Sequence, residues 1–275
     1  MTPPLKSETV MVSPVLGLVR FAAFTVWTLL LVPPYLAVRL FSNRLGGRVV
    51  LFYWQVVVRL IGFQVVARGA PAVGAGPALY VCNHASYLDI IVLGSLIPAC
   101  FIAKSEVAGW PGFGLLARLA RTVFVDRRPA ATRRERDSVR HRLEGGDSLI
   151  LFAEGTSNDG NHVLPFKSAL LSVAETGLTG PDGIVRPLPV QPVSLAYTRL
   201  EGLPLTRAMR PFLAWYGDMT LAGHLLGALG LGRVTIEVTF HPATSLASFP
   251  SRKELTVHCH DLVANGVASL LAGRA

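Results

Sequence analysis

Ala78-Leu79-Tyr80-Val81-Cys82-Asn83-His84-Ala85-Ser86-Tyr87-Leu88-Asp89 begins as an apolar run and ends in an amide, an imidazole and a carboxylate. Ala78 to Cys82 follows the Pro- and Gly-rich segment Pro71 to Pro77, and Tyr87 to Leu96 is a longer apolar stretch. That order predicts strand, turn and helix. On a regular helix His84 and Asp89 would lie about 140° out of line. They meet only if His84 sits in the turn and Asp89 in the first turns of the helix. In that arrangement a carboxylate holds one ring nitrogen and leaves the other free as a base. Taken alone, the pair also fits a capped turn or a surface ion pair.

Outward from this segment, strand and helix patterns alternate. Strands are expected over Phe101 to Ala103, Thr122 to Val125, Ser148 to Phe152, Leu188 to Tyr197, Phe212 to Tyr216 and Val234 to Phe240. Helices are expected over Gly112 to Leu119, Ala130 to Glu144, Lys167 to Thr176, Leu221 to Leu229 and Arg252 to Leu271. Gly177 to Gly183 and Arg199 to Arg207 read as loops. The class is α/β, with a single mixed, largely parallel sheet covered by helices.

The chain has 275 residues, 51% hydrophobic and 16% charged, with mean hydropathy +0.46, net charge +9 and pI about 10.0. High hydropathy together with high basicity suits a protein lying on an anionic membrane surface. Nucleic acid is disfavoured as a partner, because the aromatic residues are not interleaved with the arginines and no DNA- or RNA-binding pattern is present. Phe21 to Val38 is uncharged and flanked by Arg20 and Arg39, and Pro33-Pro34 interrupts the apolar run. Val49 to Val66 reads as an amphipathic helix. Together they predict a membrane-associated helical hairpin over residues 1–69 that dips into one leaflet, with a single transmembrane helix as the competing reading. Residues 70–275 form the α/β domain. Cys82, Cys100 and Cys259 are widely spaced and read as packing residues. His258-Cys259-His260-Asp261 cannot converge on one ion from a helix, so no metal is assigned.

Four blocks carry a family resemblance. Asn83-His84-x4-Asp89 resembles the NHx4D motif of the glycerolipid acyltransferases, the family of 1-acylglycerol-3-phosphate acyltransferases. Thr122-Val123-Phe124-Val125-Asp126-Arg127, Phe152-Ala153-Glu154-Gly155-Thr156-Ser157 and Pro187-Leu188-Pro189-Val190-Gln191-Pro192-Val193 resemble the family's later blocks, in its order. The resemblance implies the glycerolipid acyltransferase fold and an enzyme that moves a fatty acyl group from acyl carrier protein or coenzyme A to the hydroxyl of a lysolipid. No cofactor is implied beyond that thioester donor. Location at the cytoplasmic face of a bacterial inner membrane follows from the same resemblance. A basic lipid-binding protein with this fold and no catalysis is the competing class, and a hydrolase a weaker one.

Within this frame His84 is the expected base and Asp89 its orienting partner, while Asn83 fixes the turn beside the substrate. No G-x-S-x-G elbow is present, so direct attack by the acceptor hydroxyl is expected rather than an acyl-enzyme. Glu154, Gly155, Thr156 and Ser157 follow a strand, at the end where open α/β sheets bind ligands. Arg127 is the expected fork for the acceptor head group, with Lys104 and Lys167 as further cations near strand ends. The family's FPEGTR becomes Phe-Ala-Glu-Gly-Thr-Ser here, so an arginine is missing. With Ser157-Asn158-Asp159-Gly160 and Ala214-Trp215-Tyr216-Gly217-Asp218, the chain looks more like the bacterial lyso-ornithine-lipid O-acyltransferases.

Overall fold

The structure is a computed structural model that describes residues 12–72, 76–110, 112–125, 133–179 and 183–274. Two helices come first, α1 (Pro14–Phe41) and α2 (Asn43–Leu60), and then β1 (Phe63–Arg68), β2 (Leu79–Cys82), α3 (Leu88–Leu96) and β3 (Ala99–Lys104). The chain continues through α4 (Phe113–Leu119), β4 (Val123–Val125), α5 (Arg133–Glu144), β5 (Ser148–Phe152), β6 (Gly177–Thr179), β7 (Val185–Pro187), β8 (Pro189–Leu200) and β9 (Leu203–Pro204). It closes with α6 (Leu221–Leu229), β10 (Val234–Phe240), β11 (Thr244–Ser245) and α7 (Arg252–Leu271).

The main sheet runs β1-β10-β8-β2-β5-β3-β4, with β9 and β11 paired to β8. Strands β8, β2, β5, β3 and β4 are mutually parallel and β10 is antiparallel to β8, so the sheet is mixed. Side-chain alternation sorts it into two cores. Tyr80, Cys82, Phe101, Ile150, Val193, Leu195 and Tyr197 face α2, α3 and α6. Leu79, Val81, Cys100, Leu149, Leu151 and Val190 face α5 and α7. Near-continuous apolar strands buried on both faces are what such a sheet requires. All three cysteines are free and buried.

Three expectations need correction. The second helix stops at Leu60, turns at Gly62 with φ +80°, and gives way to β1, which pairs in parallel with β10. The sheet thus begins inside residues 1–69, where only membrane helices were expected; Val65 and Val66 are β-branched and fit a strand. Pro33 and Pro34 lie inside α1, and the hairpin turns at Ser42, between the two apolar stretches, where its hydroxyl accepts the Leu45 N–H at 3.3 Å. Lys167 to Thr176 contains a 3₁₀ helix, Leu170–Glu175, whose three-residue turn stacks the buried Leu171 and Ala174 on one face. Phe212 to Tyr216 is not a strand: Pro211 sits in a 3₁₀ turn, Arg210–Phe212, and the N–H groups of Leu213 and Ala214 return to the Arg210 carbonyl. A smaller difference is that β6 occupies part of the loop expected over Gly177 to Gly183.

The 28-residue α1 has mean hydropathy 2.1 over its most apolar window and is long and apolar enough to cross a membrane. Its outer face exposes Val15, Leu18, Leu29, Leu30 and Leu40. Its inner face buries Gly17, Thr28 and Tyr35. Gly17 lies so close to α6 that an added Cβ would come 2.7 Å from the Leu226 carbonyl oxygen. One turn on, the Arg20 guanidinium donates to the carbonyls of Leu229 at 3.0 Å and Leu231 at 2.6 Å, closing the C-terminal end of α6. Further along, the Thr28 hydroxyl lies 2.8 Å from that of Tyr53, and the Tyr35 hydroxyl donates to the Leu119 carbonyl at the end of α4.

Candidate active site

The register brings two strand ends together. Cys82, last in β2, is opposite Phe152, last in β5, and Val193 of β8. The loops that follow, 83–87 and 153–164, therefore leave the sheet side by side. Asp89 is in the first turn of α3, and His84 is in the loop before it. His84 Nδ1 lies 2.9 Å from Asp89 Oδ2, which also accepts the backbone N–H groups of Ala85 at 2.8 Å and Ser86 at 2.9 Å. The Tyr197 hydroxyl donates to Asp89 Oδ1 at 2.6 Å. The three other donors around a carboxylate of 0% exposure keep it an acceptor, which assigns the proton of that hydrogen bond to His84 Nδ1. The His84 ring stacks on Phe152 at 3.9 Å and 18°, and 19% of its side chain stays exposed. Its Nε2 meets no hydrogen-bond partner among the described residues. Burial, and next the Asp89 charge, push the Tyr197 phenol well above its ordinary range, so it remains a donor.

Asn83 and Glu154 serve the loops from below. The Asn83 amide donates to the Leu195 carbonyl and accepts the Leu195 N–H, both at 2.9 Å, tying the end of β2 to β8. Glu154 is 1% exposed. Its Oε1 accepts the His84 N–H at 2.7 Å, and its Oε2 accepts Asn158 Nδ2 at 2.6 Å and the Leu164 N–H at 2.9 Å. Burial raises its carboxyl to about 7 against the pull of these donors. Asn83 was expected to fix the turn beside the substrate, and its two bonds to Leu195 hold the turn in place. Glu154 was expected at the ligand-binding end of the strand, and its two oxygens are engaged by the three donors around them.

Gly155 has φ +69°, and an added Cβ would come 3.2 Å from Leu170 Cδ1 and 3.3 Å from Lys167 Cδ. A side chain there would be strained by the backbone and would press on both neighbours. Lys167 therefore lies across Gly155, and its N–H bonds the Ala153 carbonyl at 2.9 Å. Thr156 is exposed. Ser157 Oγ donates to the Trp215 carbonyl, while the Trp215 N–H bonds the Ala85 carbonyl at 2.9 Å. Lys104 ends β3 opposite Val125, beyond β5 on the same rim. Arg127 lies outside the described residues. The structure thus gathers His84, Asp89, Asn83, Glu154, Gly155, Thr156, Ser157 and Lys167, and leaves Lys104 farther off.

Sequence reasoning gave no role of their own to Phe152, Asn158, Tyr197 and Trp215. Strand alternation held a signal for one of them: Tyr197 falls on the same face as Val193 and Leu195 and is the polar member of that row. Trp215 forms an edge-to-face series with Trp110 at 5.5 Å and Tyr87 at 5.9 Å. These rings make an aromatic lip beside the histidine.

The acyltransferase family profile matches residues 62–196, which hold all four sequence blocks. A lyso-ornithine lipid O-acyltransferase of Brucella abortus is 40% identical over 255 residues, covering 92% of this chain and 94% of that protein. A 1-acyl-sn-glycerol-3-phosphate acyltransferase of Neisseria gonorrhoeae is 32% identical over 185 residues, covering 66% of this chain and 64% of that one. The crystal structure of the 1-acyl-sn-glycerophosphate acyltransferase of Thermotoga maritima shares the fold, with a TM-score of 0.65 at 23% identity, over 93% of this chain and 95% of that chain. Profile, relatives and fold agree with the histidine–aspartate pair at the sheet's rim: the chain belongs to the acyltransferase family.

Proposed function

We propose that this acyltransferase moves a fatty acyl group from an acyl carrier protein or coenzyme A thioester to the hydroxyl of lyso-ornithine lipid. The observation that carries the reaction is the open Nε2 of His84, held by Asp89 at the mouth of the sheet. In the reaction, Nε2 takes the proton of the acceptor hydroxyl as its oxygen bonds to the thioester carbonyl carbon. The tetrahedral intermediate then collapses, the carbon–sulfur bond breaks, and the imidazolium returns the proton to the departing thiolate. Asp89 stabilises the imidazolium between the two steps.

Two observations support ornithine lipid over a phosphate-bearing acceptor. The identity to the Brucella protein is higher and spans nearly all of it. Ser157 also replaces the arginine of the family block and is tied to the Trp215 carbonyl, which leaves Lys167, lying across Gly155, as the cation of that turn. An ornithine head group carries its own ammonium and needs fewer cations than a phosphate. Arg127 remains our candidate for its carboxylate, by the match of a guanidinium fork to two oxygens.

A one-leaflet placement, at the cytoplasmic face, completes the proposal. It is supported by the two fastenings of α1, Arg20 to the end of α6 and Tyr35 to the end of α4. They lie roughly 22 Å apart along the helix. A helix held to the α/β domain at both points lies along its surface rather than leading away through a bilayer.

The test is acyl transfer on membranes containing the protein, with labelled donor offered to lyso-ornithine lipid and lysophosphatidic acid in parallel and a His84→Ala control. Label in ornithine lipid alone is the expected result. Label in phosphatidic acid alone would overturn the acceptor assignment, and label in neither would favour lipid binding without catalysis.

A further inference from the structure

Asp89 has two carboxylate oxygens and no contact with solvent, and the chain supplies them unequally. Three donors meet Oδ2, all from the turn that precedes the helix: His84 Nδ1 and the N–H groups of Ala85 and Ser86. Oδ1 is met by Tyr197, 108 residues away in sequence, through a bond of 2.6 Å. The strand that delivers this hydroxyl is irregular at that point. Thr235 of β10 pairs with Arg199, but the next residue, Ile236, pairs with Tyr197, so Thr198 is the extra residue of a β-bulge. Bulges re-aim neighbouring side chains and gather near active sites. The ring is steadied by Phe63, edge-on at 6.4 Å and 74°.

We propose that Tyr197 is a positioning residue of the transfer reaction: by holding Oδ1 it fixes the Asp89 carboxylate and draws part of its charge away from Oδ2, which sets how tightly His84 binds a proton at Nε2. The inference rests on the reading of His84 as the base. Its physical ground is that a carboxylate shares one negative charge among all its donors. A strong O–H···O⁻ bond on one oxygen weakens what the other gives to the imidazolium. With Tyr197 in place, His84 releases its proton to the departing thiolate more readily than a histidine–aspartate pair alone would.

Other groups face this pair and define the control. Glu154, from the loop after β5, takes the His84 N–H. Tyr87 precedes α3, and Cys82 ends β2 with a thiol that burial pushes far up. Because burial raises the Glu154 carboxyl to about 7, an activity profile alone would not isolate the imidazole. The imidazole must be read directly.

The experiment uses full-length protein in lipid nanodiscs, with ¹⁵N-labelled histidine followed by NMR across pH and kcat/KM measured in parallel. The His84 signals are identified by their loss in His84→Gln. In Tyr197→Phe the ring should bind its proton roughly three- to tenfold more tightly, moving the NMR midpoint up by about 0.5 to 1 in pH, and the acid limb of kcat/KM should follow. Replacing Tyr197 with 3-fluorotyrosine, a stronger donor of the same shape, should move the midpoint down. Unchanged midpoints in both proteins, or a downward shift in Tyr197→Phe, would overturn the proposal and leave Tyr197 as packing. If Tyr197→Phe does not fold, the fluorinated protein decides alone. Full activity in His84→Ala would refute the base, a failure distinct from an unmoved imidazole titration.

Discussion

In the two loops at the rim, polar groups are spent on one another: Asp89 takes four donors, Glu154 three, and Asn83 exchanges two bonds with Leu195. Along α1 the outer face shows water or lipid little but Val, Leu and Phe, and its few polar fastenings, Arg20, Thr28 and Tyr35, lie on the inner side. The rim is defined by direction, since hydrogen bonds weaken steeply with angle. The hairpin is defined by area, which tolerates sliding and substitution. Catalysis needs the first and membrane attachment the second.

The largest expected effect breaks the rim at its reactive atom. His84→Ala should lower turnover by roughly 100-fold to 10,000-fold with the fold retained, as checked by acyl-transfer rates beside circular dichroism. Activity near that of the unaltered protein would show that the rim's organisation serves something other than base catalysis.

Glu154 tests whether the supports matter as much as the base. Glu154→Ala strips three buried donors of their acceptor, at about 1 to 3 kcal/mol each before relaxation. A large fall in Tm is expected. Its carboxyl is raised from 4.5 to about 7, so the folded state favours the protonated form. The sign follows: this contribution to stability is full below pH 4.5 and is lost as pH rises through about 7. It amounts to a few kcal/mol at most, since each tenfold gain in proton affinity is worth roughly 1.4 kcal/mol. Urea titrations at several pH values should show that slope in the unaltered protein and a shallower one in Glu154→Gln.

Gly94→Ala probes the seam between the two regions. The new methyl would lie 2.5 Å from Trp54 Cδ1, so the Trp54 ring or α2 with it must shift. A loss of about 1 to 3 kcal/mol is expected by thermal melting. An unchanged Tm would mean that the seam is loose.

On the outer face, Leu29→Lys should alter stability by no more than about 0.5 kcal/mol. The fraction of protein that sediments with anionic liposomes should fall, because a lysine at bilayer depth costs about 2.5 to 3.5 kcal/mol on insertion scales. A drop in Tm comparable to that of Gly94→Ala would show that Leu29 is packed against protein.

The same contrast explains what could be read in the residues beforehand. Ser148–Phe152, Val234–Phe240, Leu221–Leu229 and Arg252–Leu271 were legible to their ends, because local periodicity and flanking Gly, Pro or Ser determine them. The pairing of His84 with Asp89 was legible too, since spacing left only one arrangement in which they meet. Tyr197, Asn158 and Trp215 were not, for they reach the site through sheet register and loop crossings between distant parts of the chain. The segment after Gly62 was misread for a related reason: Phe63 to Val66 is apolar enough for either a helix or a strand, and only its pairing with β10 decides. Glu154 looked like a ligand group because a sequence does not reveal which carboxylates are already occupied.

The bond from Arg20 to the end of α6 has a practical side for anyone seeking a detergent-free enzyme. Trimming the chain back to residue 43 would remove its most apolar helix, but also the donor that satisfies the carbonyls of Leu229 and Leu231. Those groups lie at the entrance to β10, whose neighbour β8 carries Tyr197. The anchor is therefore no detachable handle. Solubility is better sought by replacing outward residues such as Leu18 and Leu30 while Gly17, Arg20, Thr28 and Tyr35 are left in place.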